Sequence, residues 1–437
     1  MTTSIPEAGG STVRNPWAWS PSLYFGQALP YLVVMTLSVV MYKNLEVSNT
    51  EIALYTSWLY LPWVIKPLWS PLIEIFGTKR HWITALQFLV GASLALVALS
   101  VPAPKFFQLT LAMFWLMAFA SASHDIAADG FYMLALKTHQ QAAFVGVRST
   151  FYRLANIGGQ GGLVYLAGEL QERTGSMTTA WSIVFFILAG FFVAMAAYHQ
   201  WALPRPASDT PRSPTGQHWL AEFLAVFAAF FRKPGIAVFL AFLLLYRFPE
   251  AQLLKLATPF LLDKLEAGGL ALTTKQLGIA YGTVGLTALT LGGLLGGWII
   301  SRVGLGRALW PMVLAINVPN IVYVLMAAWP TGNLWLISAA IAFEQFGYGL
   351  GFAAYLLVMI YVAEGEHKTA HYAICTGFMA LGMMLPGMWS GWLQQQLGYL
   401  NFFIWVLIAT LPSFAVAALI KVPAEFGKKT DEEDAAR

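Results

Sequence analysis

Three short stretches of this chain carry ionisable side chains inside otherwise apolar sequence: SASHDIAADGFYML (121–134), LYRFPEAQLLK (245–255) and AFEQFGYGLG (342–351). Together with Lys66 and Arg153 they supply four cations (Lys66, Arg153, Arg247, Lys255) and four acids (Asp125, Asp129, Glu250, Glu344). A charge at the centre of a bilayer costs about 3 kcal/mol on insertion scales, so such groups are expected to face one another or a wet cavity. Asp125 and Asp129 are four residues apart and share a helix face, while His124 points about 100° away. Two kinds of chemistry fit the acids. One is a carboxylate that alternates between a bound proton and an ion pair with Arg153; the other is a fixed structural pair. The guanidiniums of Arg153 and Arg247 and the ammonium of Lys66 suit anionic groups on a solute. Glu250, Gln345 and Trp63 lie beside them in sequence and complete the expected binding set. Asp125, Asp129 and Glu344 are the expected proton carriers.

The elements that must position these residues are long and apolar. The chain has 437 residues, 58% hydrophobic, 15% aromatic and only 11% charged. Soluble domains carry roughly a quarter charged residues, so the composition indicates a polytopic membrane protein. A helix needs about 20 apolar residues to cross a bilayer. Segments of that kind fall at 18–42, 52–75, 82–101, 107–135, 141–168, 179–201, 235–262, 274–300, 307–328, 334–362, 369–394 and 399–421, twelve spans in all. The longest connection, 202–234, is a Pro/Ser-rich linker followed by an amphipathic segment. It divides the chain into a first bundle (1–201) and a second (235–437). The first residues, MTTSIPEAGGSTVRNP, are polar and read as a cytoplasmic tail rather than a leader. With the N-terminus inside, fifteen Lys and Arg fall in inner loops and tails and five (Lys43, Lys105, Arg173, Lys264, Lys275) in outer loops. Both termini are therefore expected in the cytoplasm. Trp17, Trp19, Trp82, Trp329 and Trp335 read as interface anchors, and Trp58, Tyr60, Trp63 and Trp69 run through span two beside Lys66.

The two halves repeat. SPLIEIFGTKR (70–80) and GWIISRVGLGR (297–307) align Glu74 with Ser301, Gly77 with Gly304 and Arg80 with Arg307. Duplicated six-span bundles are a mark of transporters. Arg302 completes the second copy. The single cysteine, Cys375, excludes an internal disulfide and reads as a small buried residue. No P-loop or metal-ligand spacing is present, and no loop offers the catalytic cluster that a membrane enzyme requires.

The two loops resemble the signature of the major facilitator superfamily, Gly-x-x-x-Asp-Arg-x-Gly-x-Lys/Arg. The first has Ser70, Glu74 and Ile75 where Gly, Asp and Arg are usual, and the second has Ser301 for the Asp. The resemblance implies that Glu74, Gly77, Arg80, Ser301, Arg302, Gly304 and Arg307 latch an inner gate. IKPLWSPLIE (65–74), SASHDIAADGFYML, FYRLANIGG (151–159), LYRFPEAQ, FEQFGYGLGFAA (343–354) and SGWLQQQLGYLNFF (390–403) resemble the muropeptide permease (AmpG) family over nearly the whole chain. In span four, His124 and Gly130 replace that family's usual Gln and Ala. The resemblance implies an all-α fold of twelve transmembrane helices in two six-helix bundles. It further implies a proton-driven importer of N-acetylglucosaminyl-1,6-anhydro-N-acetylmuramyl peptides in the inner membrane of a Gram-negative bacterium, serving peptidoglycan recycling. No cofactor, metal or nucleic acid is expected, and a monomer is. A transporter of another solute on the same scaffold, such as a siderophore, a drug or an acyl-CoA-like amphiphile, is the alternative.

Overall fold

The computed structural model describes residues 14–136, 138–210 and 219–428. The tail 1–13 and the cations Lys137, Arg212, Lys429 and Arg437 lie outside the described residues, and the Glu74 side chain lies outside the described side chains. Among the described residues every regular element is helical, and nine helices are long and apolar enough to cross a membrane. They are Pro16–Asn44, Lys79–Ser100, Phe106–Ala135, Met177–Ala202, Ile236–Leu262, Thr274–Val303, Leu305–Ala328, Leu334–Ala363 and Ala370–Leu419. The last holds spans eleven and twelve, which Gly398 separates with a left-handed backbone (φ 72°). Spans two and five are broken instead. Span two is Asn49–Trp58 followed by Leu61–Ile75, and span five is Thr138–Ile157, a π-helical turn Gly158–Leu163, then Val164–Thr174. These two carry Lys66, Arg148 and Arg153, which is why neither reads as a continuous apolar run.

Helix starts follow the short polar residues in the loops. Ser48, Thr78, Ser176 and Thr273 accept from backbone amides of the first turn, and Gln276 returns the bond to Thr273. Gly175 ends span five in the left-handed region (φ 68°). Of the expected interface tryptophans, Trp17, Trp329 and Trp335 are 59%, 71% and 85% exposed. Trp19 is not an anchor. It is fully buried, edge-on to Phe131 at 5.3 Å, inside the first half.

The apolar core is distributed unevenly along the spans. At the end that the charge bias assigns outside, one continuous core joins both halves; it contains Tyr42, Phe114 and Trp181 of the first and Phe260, Tyr323 and Phe403 of the second. At the other end there are two separate cores. One contains Trp19, Tyr24, Ile83 and Phe131; the other contains Phe230, Tyr246, Tyr355 and Cys375. Glycines allow the close approach at the shared end. A Cβ on Gly282 would lie 2.6 Å from the Cα of Gly161, and one on Gly168 would lie 2.6 Å from the Lys275 nitrogen. Both are backbone-to-backbone contacts between spans five and eight. Spans two and eleven touch where Gly391 meets the Asn49 backbone and where Gly377 meets Val64. Farther from the shared end they leave a cavity of about 190 Å³ lined by Ile65, Leu68, Phe227, Phe231 and Phe378.

Candidate functional site

The ionisable residues do not form one cluster. In the first half, span four presents Asp125 and Asp129 on one face, as their spacing requires, but their partners differ. Asp125 accepts from the Trp63 indole N–H at 3.2 Å and lies 3.9 Å from the Lys66 ammonium, both on span two. Asp129 pairs with Arg148 at 2.8 Å. Arg153, the partner expected from sequence, is elsewhere. It donates to the Thr290 carbonyl of span eight at 3.1 Å, across the boundary between halves. Arg148 and Arg153 are five residues apart, so their side chains point roughly 140° from each other on one helix. Only one of them can face span four. Arg148 also lies over the ring of Tyr24, 4.5 Å from its centroid.

In the second half, Arg247 follows a break in span seven and opens the helix Phe248–Leu262, with Pro249 in the first turn, where its missing N–H costs nothing. The guanidinium bonds the Tyr348 hydroxyl and stacks on Phe352 at 4.8 Å. It does not neutralise Glu250 by direct contact, because both oxygens of that carboxylate are buried without a hydrogen-bond partner. On span ten, Glu344 accepts one bond, from Gln345 at 3.0 Å, and its other oxygen is also without a partner. Lys255, one turn farther along, donates to Thr56 of span two at 2.9 Å and lies 5.3 Å from the Tyr60 ring.

Aromatic side chains stand between the two groups. Tyr31 on span one packs edge-on against Trp63 at 5.1 Å and lies near enough to both Asp125 and Arg247 to interact with each electrostatically. Of the span-two aromatics, Trp63 and Tyr60 face inward, Trp69 bonds Ser123 at 3.2 Å, and Trp58 is 39% exposed. Tyr31, Arg148 and Tyr348 were not singled out by sequence. Tyr31 stands in a wholly apolar context, and Arg148 sits in polar sequence at a span edge, so neither gives a local signal. His124 enters a buried chain instead of the charged face: Ser22 to His199 at 2.9 Å, His199 to Gln87 at 2.8 Å and Gln87 to His124 at 3.1 Å. That chain ties spans one, six, three and four together.

At the shared end, ion pairs join the halves. Lys43 meets Asp263 at 2.6 Å, and Lys275 meets Glu169 at 2.7 Å and Glu172 at 3.2 Å. Asn49 donates to Gln394 at 2.9 Å and Tyr399 at 2.8 Å. Hydrogen bonds from Lys275, then Arg173, hold the half-buried Glu169 carboxyl below its ordinary range. At the opposite end the first repeat loop contacts the linker that follows its half, and the second contacts its own half. Asp209 accepts from the backbone amides of Lys79 and Arg80, and Arg80 reaches the Leu203 carbonyl at 3.3 Å. Arg307 pairs with Glu425 at 2.7 Å, and Ser301 bonds its own turn at Trp298. Arg302 lies 5.8 Å from the Trp298 ring. Gly77 and Gly304 take positive φ (81° and 85°), and Gly304 abuts the Ala424 carbonyl. Among the described residues no group of three His, Cys, Asp or Glu side chains is placed to hold a metal.

Residues 23–369 match the model of the Major Facilitator Superfamily. The anhydromuropeptide permease of Escherichia coli (strain K12) is 24% identical over 84% of this chain and 72% of its own length. A putative transporter, AmpG 4, of Rickettsia conorii is 23% identical over 89% of this chain and 92% of its own. An uncharacterised protein of Haemophilus influenzae is 27% identical over 89% and 90%. Among solved structures, a bacterial homologue of the human lysosomal transporter Spinster, inward-facing and unoccupied, superposes with a TM-score of 0.69. It is 15% identical over 94% of this chain and 96% of that one. The nucleoside transporter NupG gives a TM-score of 0.65, 17% identity, and coverage of 92% and 98%.

Proposed function

Because the chain belongs to the Major Facilitator Superfamily, and is therefore a multi-pass membrane transporter and not an enzyme, we propose that it imports anhydro-muropeptides by proton symport, using alternating access. The inner membrane, with both termini cytoplasmic, is the proposed location, and a monomer of two bundles divided at 202–234 is the proposed unit. The observation that carries the mechanism is the uneven core. A single core closes the outer end while two separate cores leave the inner end free to part. Reversing that pattern would expose the same centre to the other side. Substrate class rests on the similarity to the anhydromuropeptide permease and on the make-up of the centre. Lys66, Arg153 and Arg247 offer positive charge for peptide carboxylates. Tyr31, Tyr60 and Trp63 offer ring faces for sugars, with Glu250 and Gln345 as further polar contacts.

The test is uptake of labelled anhydro-muropeptide into membrane vesicles with and without an imposed pH gradient. Saturable, gradient-dependent uptake is expected. Uptake indifferent to the gradient would remove the coupling, and uptake of an unrelated solute without competition from muropeptide would remove the substrate. Arg153→Gln is expected to abolish uptake while leaving the protein in the membrane.

A further inference from the structure

The four acids of the spans fall into two classes. Asp125 and Asp129 each have a cation within 4 Å: Lys66 at 3.9 Å and Arg148 at 2.8 Å. Glu250 and Glu344 have none. Each is 1% exposed, and three of their four oxygens have no hydrogen-bond partner. A carboxylate has about four acceptor sites, and burying it ionised without donors is costly.

These two side chains also interact electrostatically with each other, Glu250 on span seven and Glu344 on span ten. The groups around them settle the charge balance. Span eight contributes Tyr281, span nine Tyr323, and span ten Tyr348 and Gln345, all neutral. Span seven contributes one interacting cation, Arg247, whose guanidinium is occupied by Tyr348 and the Phe352 ring. Lys255 is directed to Thr56 and Tyr60 in the other half. One guanidinium against two carboxylates leaves a single unmatched negative charge among buried, low-dielectric surroundings. Some mobile cation must supply the balance.

We propose that Glu250 and Glu344 together form a site for one proton in the second bundle, and that the coupling ion binds there and not on the Asp125–Asp129 face. This rests on the proton-symport reading and moves its ion site. The proton adds to one carboxylate oxygen; the new O–H donates within the cluster, and the other carboxylate stays ionised against Arg247. Span seven carries Glu250, Arg247 and the interfacial Lys255. Filling or emptying the site therefore acts on the helix that touches the opposite half.

The full chain, purified and reconstituted in liposomes, can be followed by infrared difference spectroscopy over a pH series without any substrate. The wild type is expected to show the C=O stretch of one protonated carboxylic acid. That band should vanish in Glu344→Gln, vanish or shift in Glu250→Gln, and persist in Asp125→Asn and Asp129→Asn. A band that survives Glu344→Gln and Glu250→Gln, that is lost in Asp125→Asn, or that sodium displaces would overturn the proposal. Glutamine mimics the protonated acid, so both variants are expected to insert; if Glu344→Gln does not, Glu250→Gln carries the test. In vesicles, Glu344→Gln should retain exchange of labelled muropeptide against internal muropeptide and lose gradient-driven accumulation. A wild type that moves no muropeptide defeats the substrate reading alone, since the infrared result needs none.

Discussion

Gly282 is the position where a single methyl group should tilt the conformational balance. Its Cβ would meet only backbone: the Gln160 carbonyl carbon at 2.5 Å and the Gly161 Cα at 2.6 Å, across the contact between spans five and eight. Carbon atoms rest at about 3.5 Å, so the two helices must separate by about 1 Å. No side-chain rotation can relieve that contact. Overpacking of this kind costs about 1–3 kcal/mol. In the alternating-access cycle proposed above, the strain falls only on the state in which the shared end is closed, and it shifts the population by roughly 5–150-fold toward opening of that end. The assay is a spin–spin distance between labels at the exposed positions Thr174 and Glu266, one in each half, in a background where the buried Cys375 is replaced by alanine. Gly282→Ala should move the distribution to longer distances. Gly162→Ala is the control, because a Cβ there meets nothing within 4 Å. An unchanged distribution in a folded Gly282→Ala protein would refute the argument that backbone contact at this point closes the shared end.

Acidification should loosen the same end. Lys275 and Arg173 hold the Glu169 carboxyl below its ordinary range, so its bridge is complete at neutral pH and is lost as pH falls through that lowered value. The label distance should lengthen in acid, and Glu169→Gln combined with Glu172→Gln should remove the response; a wild type insensitive to acid would contradict it. Gln87→Leu should lower the thermal midpoint in detergent, because it leaves His124 and His199 buried without their partner, at about 1–3 kcal/mol for each unsatisfied group; an unchanged midpoint would show that the chain contributes nothing. Arg148→Gln should cost little stability, under about 1 kcal/mol, because the Arg148–Asp129 pair is more than a third exposed (35% and 41%). A large loss by the same thermal assay would show that the pair is shielded from water.

Much of this architecture is legible in local sequence because membrane insertion imposes a local rule. Each stretch of about 20 apolar residues must be a helix, and each Ser, Thr or Asn before one can cap it. Spans two and five depart from that rule, since Lys66, Arg148 and Arg153 interrupt their apolar runs. The repeated loops were also readable, since a positive-φ turn needs glycine and both copies supply it, at Gly77 and Gly304.

Pairing was not legible. The spacing of Asp125 and Asp129 gave them a common face, but their partners lie on other helices, and the choice of Arg148 over Arg153 was made by the rotation of span five about its axis. Whether Glu250 is neutralised depended on where Arg247 pointed, and the Tyr348 hydroxyl and Phe352 ring of span ten took the guanidinium. Sequence by itself determined that the chain is all-helical and polytopic and which spans carry charge, because those properties depend on residues within a turn or two of each other. Tertiary structure alone decided which acids are matched and which are bare, because that balance is set by helices 60 to more than 100 residues away, such as those carrying Trp63 opposite Asp125 and Tyr348 against Arg247.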